Sequence, residues 1–241
     1  MPRPFKLLDE VTSDEGPLQL LQRGELDFMI LVNGRVLMTS MITESELALA
    51  KEGCAVISRL PRPKVLIGGM GLGFTLRAAL DALAPMAQVV VAELNPQVVE
   101  WCRGPAAIAA DGAALDPRVS IYIGGVTKEI HRVAEDKAER NYDAILWDLY
   151  VGPTRQGGER DPLYGSRSIT RTFAALSPGG VFGIWGETPS PAFEARLRRA
   201  GFEVKLLKTG GKGLKHAVYL ATRPSVTKKT GPRPIDSRRK S

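Results

Sequence analysis

The chain has 241 residues, 44% of them hydrophobic and 24% charged, ordinary values for a globular protein long enough to bury a sizeable core. Two cysteines, Cys54 and Cys102, in no Cys-x-x-Cys pair, and two histidines, His131 and His216, argue against a disulfide framework, a zinc site or a histidine-rich metal centre. The net charge of +7 is concentrated in the last residues, where six basic side chains between Pro224 and Ser241 face the single acid Asp236.

That tail, residues 224–241, is poor in large apolar residues and reads as a disordered, solvated extension. Such tails bind polyanions without specificity, so the charge does not point to a dedicated nucleic-acid protein. Met1 to Phe5 lacks an apolar signal core, and no run of about 18 apolar residues is present. A cytoplasmic chain without a membrane span is expected.

In chain order, residues 1–42 read as a small β-domain. Leu18 to Gln22 is one strand, and Asp27 to Val32 and Arg35 to Ser40 form a hairpin about Asn33-Gly34. Asn-Gly between apolar runs is a strong hairpin signal because both residues tolerate positive φ. Thr43 is placed to cap a connecting helix, residues 43–63, that carries Glu44 and Glu46 in its first turn and runs to about Arg59 before Pro61 and Pro63.

From residue 64 to 223 the rhythm changes to strand alternating with helix. Strands are expected at Val65–Ile67, Gln88–Ala92, Val119–Ile123, Tyr142–Trp147 and Val181–Trp185, with a closing antiparallel pair at Phe202–Lys208 and Ala217–Thr222. Helices are expected at Thr75–Leu83, Pro96–Arg103, Lys128–Ala138, Ile169–Leu176 and Ala192–Ala200. Leu176 to Gly180 reads as a turn. This pattern predicts an α/β fold, a mostly parallel seven-stranded sheet with helices on both faces.

The chemistry begins at the first of these strands. Val65-Leu66-Ile67 runs into the glycine turn containing Gly68, Gly69, Gly71 and Gly73, and a helix follows. Glycines let a ligand approach the backbone, and the amides of the helix N-terminus face it. Glu93 ends the next strand, twenty residues after Gly73, where a carboxylate can accept from both hydroxyls of a ribose. Ligands in such sheets bind beyond the carboxyl ends of the strands, so Asp148 faces the same crevice. The spacing fits a nucleotide of the S-adenosylmethionine type better than a dinucleotide, since no glycine follows Phe74 at the required position.

From Leu18 to Thr222 the chain resembles the spermidine synthase-like branch of the class I S-adenosylmethionine-dependent methyltransferases. The resemblance rests on the Asn33-Gly34 hairpin, Thr43-Glu44-Ser45-Glu46, the run Val65 to Gly69, Val91 to Pro96, Asp116 to Val119, Tyr142 to Ile145 and Leu163-Tyr164. It implies a Rossmann-like domain behind a small β-domain, a homodimer, Glu93 on the ribose, Asp148 beside the transferred group and Gln19 near the nucleotide. It implies no metal.

The chain departs from that family at the acids. Gly71 stands where spermidine synthases carry the acid that holds the aminopropyl amine of decarboxylated S-adenosylmethionine. Gly124-Gly125-Val126 lacks the acid that contacts adenine, Val151 replaces a second acid beyond Asp148, and the polyamine-holding tyrosine with glutamine or histidine is missing around Glu46-Leu47-Ala48. These losses lead to the expectation of methyl transfer from intact S-adenosylmethionine to a small molecule. Asp148 is its candidate base or cation-orienting carboxylate, Tyr150 is grouped with it as catalytic, and Tyr164 and Glu187 are expected to line the acceptor pocket.

The alternatives are aminopropyl transfer to an amine and a non-catalytic nucleotide-binding module; a nicotinamide dehydrogenase is weaker, for want of a catalytic His or Lys. Trp101 is expected near the adenine edge and Cys102 in packing. Lys212, Lys215 and His216 are expected in a basic loop.

Overall fold

A computed structural model describes residues 3–136, 138–153, 158–209 and 216–225. Lys212, Lys215 and the basic tail beyond Ser225 lie outside the described residues.

The chain opens with a four-stranded antiparallel sheet of β1 (Lys6–Ser13), β2 (Gly16–Arg23), β3 (Asp27–Val32) and β4 (Arg35–Thr39), paired in sequence order. Burial alternates along β3, with Phe28, Ile30 and Val32 inward, as a sheet with one covered face requires. Asn33 and Gly34 both take positive φ, 47° and 73°, at the β3–β4 turn. Strand β1 is absent from the sequence reading. Its residues alternate between exposed and half-buried, so no apolar stripe announces it.

Helix α1 (Glu44–Ala55) follows. It is shorter than expected: the chain leaves the helix after Ala55 and continues in tight turns closed by Ile57 N–H to the Cys54 carbonyl and Leu60 N–H to the Ile57 carbonyl. Thr43 makes no side-chain cap. Its backbone carbonyl, not its hydroxyl, takes the Leu47 amide at 3.0 Å.

The second sheet has seven strands: β5 (Lys64–Gly68), β6 (Gln88–Glu93), β7 (Val119–Ile123), β8 (Tyr142–Trp147), β9 (Leu176–Gly186), β10 (Glu203–Thr209) and β11 (His216–Thr222). They run in the order β10-β11-β9-β8-β5-β6-β7. Strands β7, β6, β5, β8 and β9 are parallel, and β11 pairs antiparallel with both β9 and β10. The helices between them are α2 (Phe74–Ala82), α3 (Pro96–Arg103), α4 (Val126–Glu135), α5 (Ser166–Ala175) and α6 (Pro191–Arg199). Leu176 to Gly180, expected as a turn, is the start of β9, with a register irregularity against β8 between Tyr142 and Ala144.

Every residue of β5 and β8 is buried, because both strands are covered on two faces. Alternate residues feed two cores. Val65, Ile67, Ala144 and Leu146 join Leu49, Leu76 and Val98, while Leu66, Ile145 and Trp147 join Ile130, Ile169 and Phe193. Helices α1, α2 and α3 thus cover one face and α4, α5 and α6 the other. The four-stranded sheet adds Leu18, Leu20, Phe28 and Ile30 to the first core. From β5 the chain builds outward through β6 and β7, then returns to place β8 on the other side of β5. That reversal opens a crevice at the carboxyl ends of β5, β6 and β8.

Candidate functional site: a glycine turn between two carboxylates

Strand β5 ends in the crevice at Gly68, and the turn to α2 is built by close approach. Asp148 N–H donates to the Gly68 carbonyl at 2.9 Å, and Gly69 N–H donates to the Ala92 carbonyl at 2.9 Å. A Cβ on Gly69, which sits at φ 89°, would press to 2.5 Å from the Asp148 carbonyl oxygen, so only glycine fits. Gly73 N–H closes the turn on the Met70 carbonyl at 2.8 Å, and Gly73 is the N-cap of α2.

Glu93 ends β6 on one side of the turn. Its carboxylate accepts the Met70 amide at 2.8 Å and the Asn95 amide at 2.8 Å. Burial pushes this carboxyl above the usual range, against the three backbone amides that favour its charge. Asp148 follows β8 on the other side. Its Oδ2 accepts the Thr75 hydroxyl at 2.6 Å. Although the residue keeps some solvent contact, burial of its carboxyl, together with the charge of Glu46, raises its pKa to about 7. A carboxyl tuned in this way is able to take up or release a proton near neutrality.

Three residues of this arrangement were missed by sequence reasoning. Thr75 stands in the first turn of α2 and orients Asp148. Glu46, on α1, accepts the Ser45 hydroxyl at 2.5 Å and supplies a second negative charge toward Asp148. Met38, on β4, places its sulfur 2.9 Å from the donating Leu72 amide. Only Glu46 carried a signal, as an acid in the first turn of the connecting helix. Cys102 packs as expected, donating its thiol to the Gly71 carbonyl at 3.2 Å, and burial holds that thiol up at about 12.

Other expected residues lie elsewhere. Tyr164 is fully buried, edge-on to Trp147 and Phe193, with its hydroxyl on the Val151 carbonyl at 2.7 Å. It is a core residue, and its ring has no open face for an acceptor. Tyr150 is 45% exposed and donates to Glu15 in the β1–β2 turn at 2.7 Å, not to Asp148. Gln19 donates to Glu10 within the four-stranded sheet. Trp101 donates its indole N–H to Asp9 at 2.7 Å and so fastens that sheet to α3 rather than facing a base. Burial raises the Tyr164 pKa, and the charges of Asp161, Asp148 and Glu187 add to it, so Glu187, half-buried after β9, borders the same region. His216 begins β11 and stacks on Trp185, ring centroids 5.2 Å apart.

Among the described residues no cluster of three or more His, Cys, Asp or Glu is arranged to hold a metal, and no helix is long and apolar enough to cross a membrane.

No family model matches the chain. In sequence it is 30% identical over 118 residues to the polyamine aminopropyltransferase of Korarchaeum cryptofilum (strain OPF8), a match that covers 49% of this chain and a third of that relative's length. In structure it is similar to a spermidine synthase in complex with the transition state analogue AdoDATO and to the spermidine synthase from Thermotoga maritima. Each has a TM-score of 0.67 and 20% identity and covers 90% of this chain, and 72% and 73% of the respective neighbours.

These comparisons overturn the expectation of methyl transfer, since the sequence relative is named for aminopropyl transfer. The physical reason lies at Gly71. That expectation took the loss of an acid there to remove the repulsion of a methionine carboxylate, but the Met38 sulfur stands in the space over Gly71, where a Cβ would run into it. In fold the chain is similar to spermidine synthases, a mostly parallel seven-stranded α/β domain joined to a small antiparallel sheet, and over 118 residues it is similar in sequence to a polyamine aminopropyltransferase.

Proposed function

We propose that the chain is a transferase that moves the three-carbon amine of decarboxylated S-adenosylmethionine to a small amine acceptor. The observation that carries this reading is the pair Glu93 and Asp148 on either side of the glycine turn, with Asp148 titrating at about 7 beside the charge of Glu46. Glu93 is the ribose acid, and the tail of the donor crosses the turn toward Asp148.

The acceptor amine attacks the carbon next to the sulfonium. The carbon–sulfur bond breaks, its electron pair stays on sulfur, and methylthioadenosine leaves. An ammonium has no lone pair for this attack, so a proton must first be lost. Asp148 accepts that proton, and its charge together with that of Glu46 holds the cationic acceptor. Thr75 keeps the Asp148 carboxylate aimed through a 2.6 Å hydrogen bond. A cytoplasmic homodimer without a resident metal fits this chemistry.

Incubation with the decarboxylated donor and a panel of diamines is expected to release methylthioadenosine, with a rate that rises as pH passes through about 7. No release with any diamine, from a chain that binds methylthioadenosine, would overturn the reading.

A further inference from the structure

The glycine turn is held by sulfur from two directions. Met38, from the four-stranded sheet, takes the Leu72 amide at 2.9 Å, and Cys102, from α3, donates to the Gly71 carbonyl at 3.2 Å. Three more amides of the turn are committed: Gly69 to the Ala92 carbonyl, Met70 to Glu93, Gly73 to the Met70 carbonyl. A glycine turn normally offers such amides to an anion. Here an anion over Gly71 would find a thioether in its place and the Leu72 amide already taken. It would also lie among the carboxylates of Glu93, Asp148 and Glu46. An unpaired carboxylate is costly to desolvate in such a place, whereas an ammonium is matched by its surroundings.

The strand order β8-β5-β6 puts the turn between Asp148 and Glu93. A donor held by its ribose at Glu93 and reacting beside Asp148 must pass its tail over Gly71. We propose that Met38 is a specificity-determining residue: its thioether fills the space over Gly71 and caps the Leu72 amide, so the crevice excludes donors bearing an α-carboxylate and admits those whose tail ends in a bare ammonium. This rests on the reading of the crevice as a donor site. It assigns to bulk and desolvation a discrimination that a carboxylate within the turn would achieve by charge.

The test compares the full-length wild type with Met38→Val, Met38→Ala and Met38→Leu by calorimetry. The three probes are methylthioadenosine, which has no tail to discriminate, decarboxylated S-adenosylmethionine and S-adenosylmethionine. Val and Ala are too short to reach the turn, and Val suits a strand, so one shortened variant keeps the fold. Methylthioadenosine is expected to bind all forms alike. Val and Ala are expected to gain affinity for the intact donor by about tenfold or more, the worth of one charge-assisted hydrogen bond to the freed Leu72 amide. Leu, which keeps the bulk, is expected to stay selective. An unchanged ratio of the two donors in the shortened variants would overturn the role of Met38, as would a Leu variant that admits the intact donor as readily as Val does. If the wild type binds none of the three nucleosides, the donor-site reading itself fails and the role of Met38 with it.

Discussion

Asp143 and Asp148 lie at opposite ends of the same buried strand, β8, in opposite electrostatic surroundings. Asp143 accepts the Lys64 amide at 2.8 Å and an Arg140 guanidinium N–H at 2.5 Å. Around it, Lys64 meets Glu139, and Glu129 takes Arg132 at 2.8 Å and the Tyr142 hydroxyl at 2.6 Å. Each of these carboxylates is matched by a cation. At the other end, Asp148 leans on one hydroxyl and Glu93 on backbone amides, and among the described residues neither has an ion pair. The first arrangement satisfies its charges internally. The second leaves negative charge to be satisfied by whatever enters the crevice, which is how a site differs from a structural network.

Breaking the second arrangement is expected to have the larger effect on activity. Asp148→Asn should lower methylthioadenosine release by about 10²–10⁴-fold, the usual worth of a positioned base, while methylthioadenosine still binds. The same change should raise the melting temperature at pH 8 and leave it little altered at pH 4. A carboxyl whose folded pKa is raised to about 7 favours the fold while protonated, and that contribution is lost as pH climbs from the unfolded value through 7. Asparagine stays neutral throughout and can still accept from Thr75. A melting temperature unchanged at pH 8 would mean that Asp148 is not perturbed.

Under the proposed role of Glu93 as the ribose acid, Glu93→Ala should weaken methylthioadenosine binding by about 10- to 100-fold, the worth of two charge-assisted bonds. Equilibrium titration with that nucleoside measures it. At the paired end, Asp143→Asn should destabilise the fold by about 1–3 kcal/mol in chemical denaturation, because Arg140 loses its counter-charge, without changing nucleoside affinity. A loss of affinity there would erase the distinction between the two ends of β8. The smallest effect belongs to Tyr150→Phe. It removes one exposed hydrogen bond to Glu15 and should shift stability by about 0.5 kcal/mol or less, with turnover retained.

The frame of the larger sheet was legible because its strands are locally consistent. Val65-Leu66-Ile67 and Tyr142 to Trp147 are unbroken apolar runs bounded by turns, and the glycines between Gly68 and Gly73 have no competing local reading. Strand β1 was not legible, since Leu7 and Leu8 are exposed and the strand is held by its backbone ladder to β2. Tyr164 and Tyr150 show a different limit. A tyrosine near a crevice in sequence points either way, and only the fold shows one hydroxyl spent on the Val151 carbonyl and the other on Glu15. Met38 and Glu46 could not be placed at all from local pattern. Each meets the turn or Asp148 only after two distant elements have packed, and no periodicity encodes that meeting.

The position of β11 bears on how such a chain comes together. The last strand of the sheet enters between β9 and β10, pairing with both from His216 to Thr222. Just past it, Arg223 exchanges backbone hydrogen bonds with Gly179 and Gly180, and its guanidinium reaches the Phe173 and Leu176 carbonyls at 2.9 Å and 2.6 Å. During synthesis, β9 therefore waits with an unpaired edge, and β10 has no neighbour, until the strand made last slides between them. Pairings of this kind are slow and leave apolar strands open to wrong partners. A growing chain of this protein should be most prone to aggregate just before residue 222 leaves the ribosome, when the strands carrying Glu93 and Asp148 are already formed and the opposite flank is not.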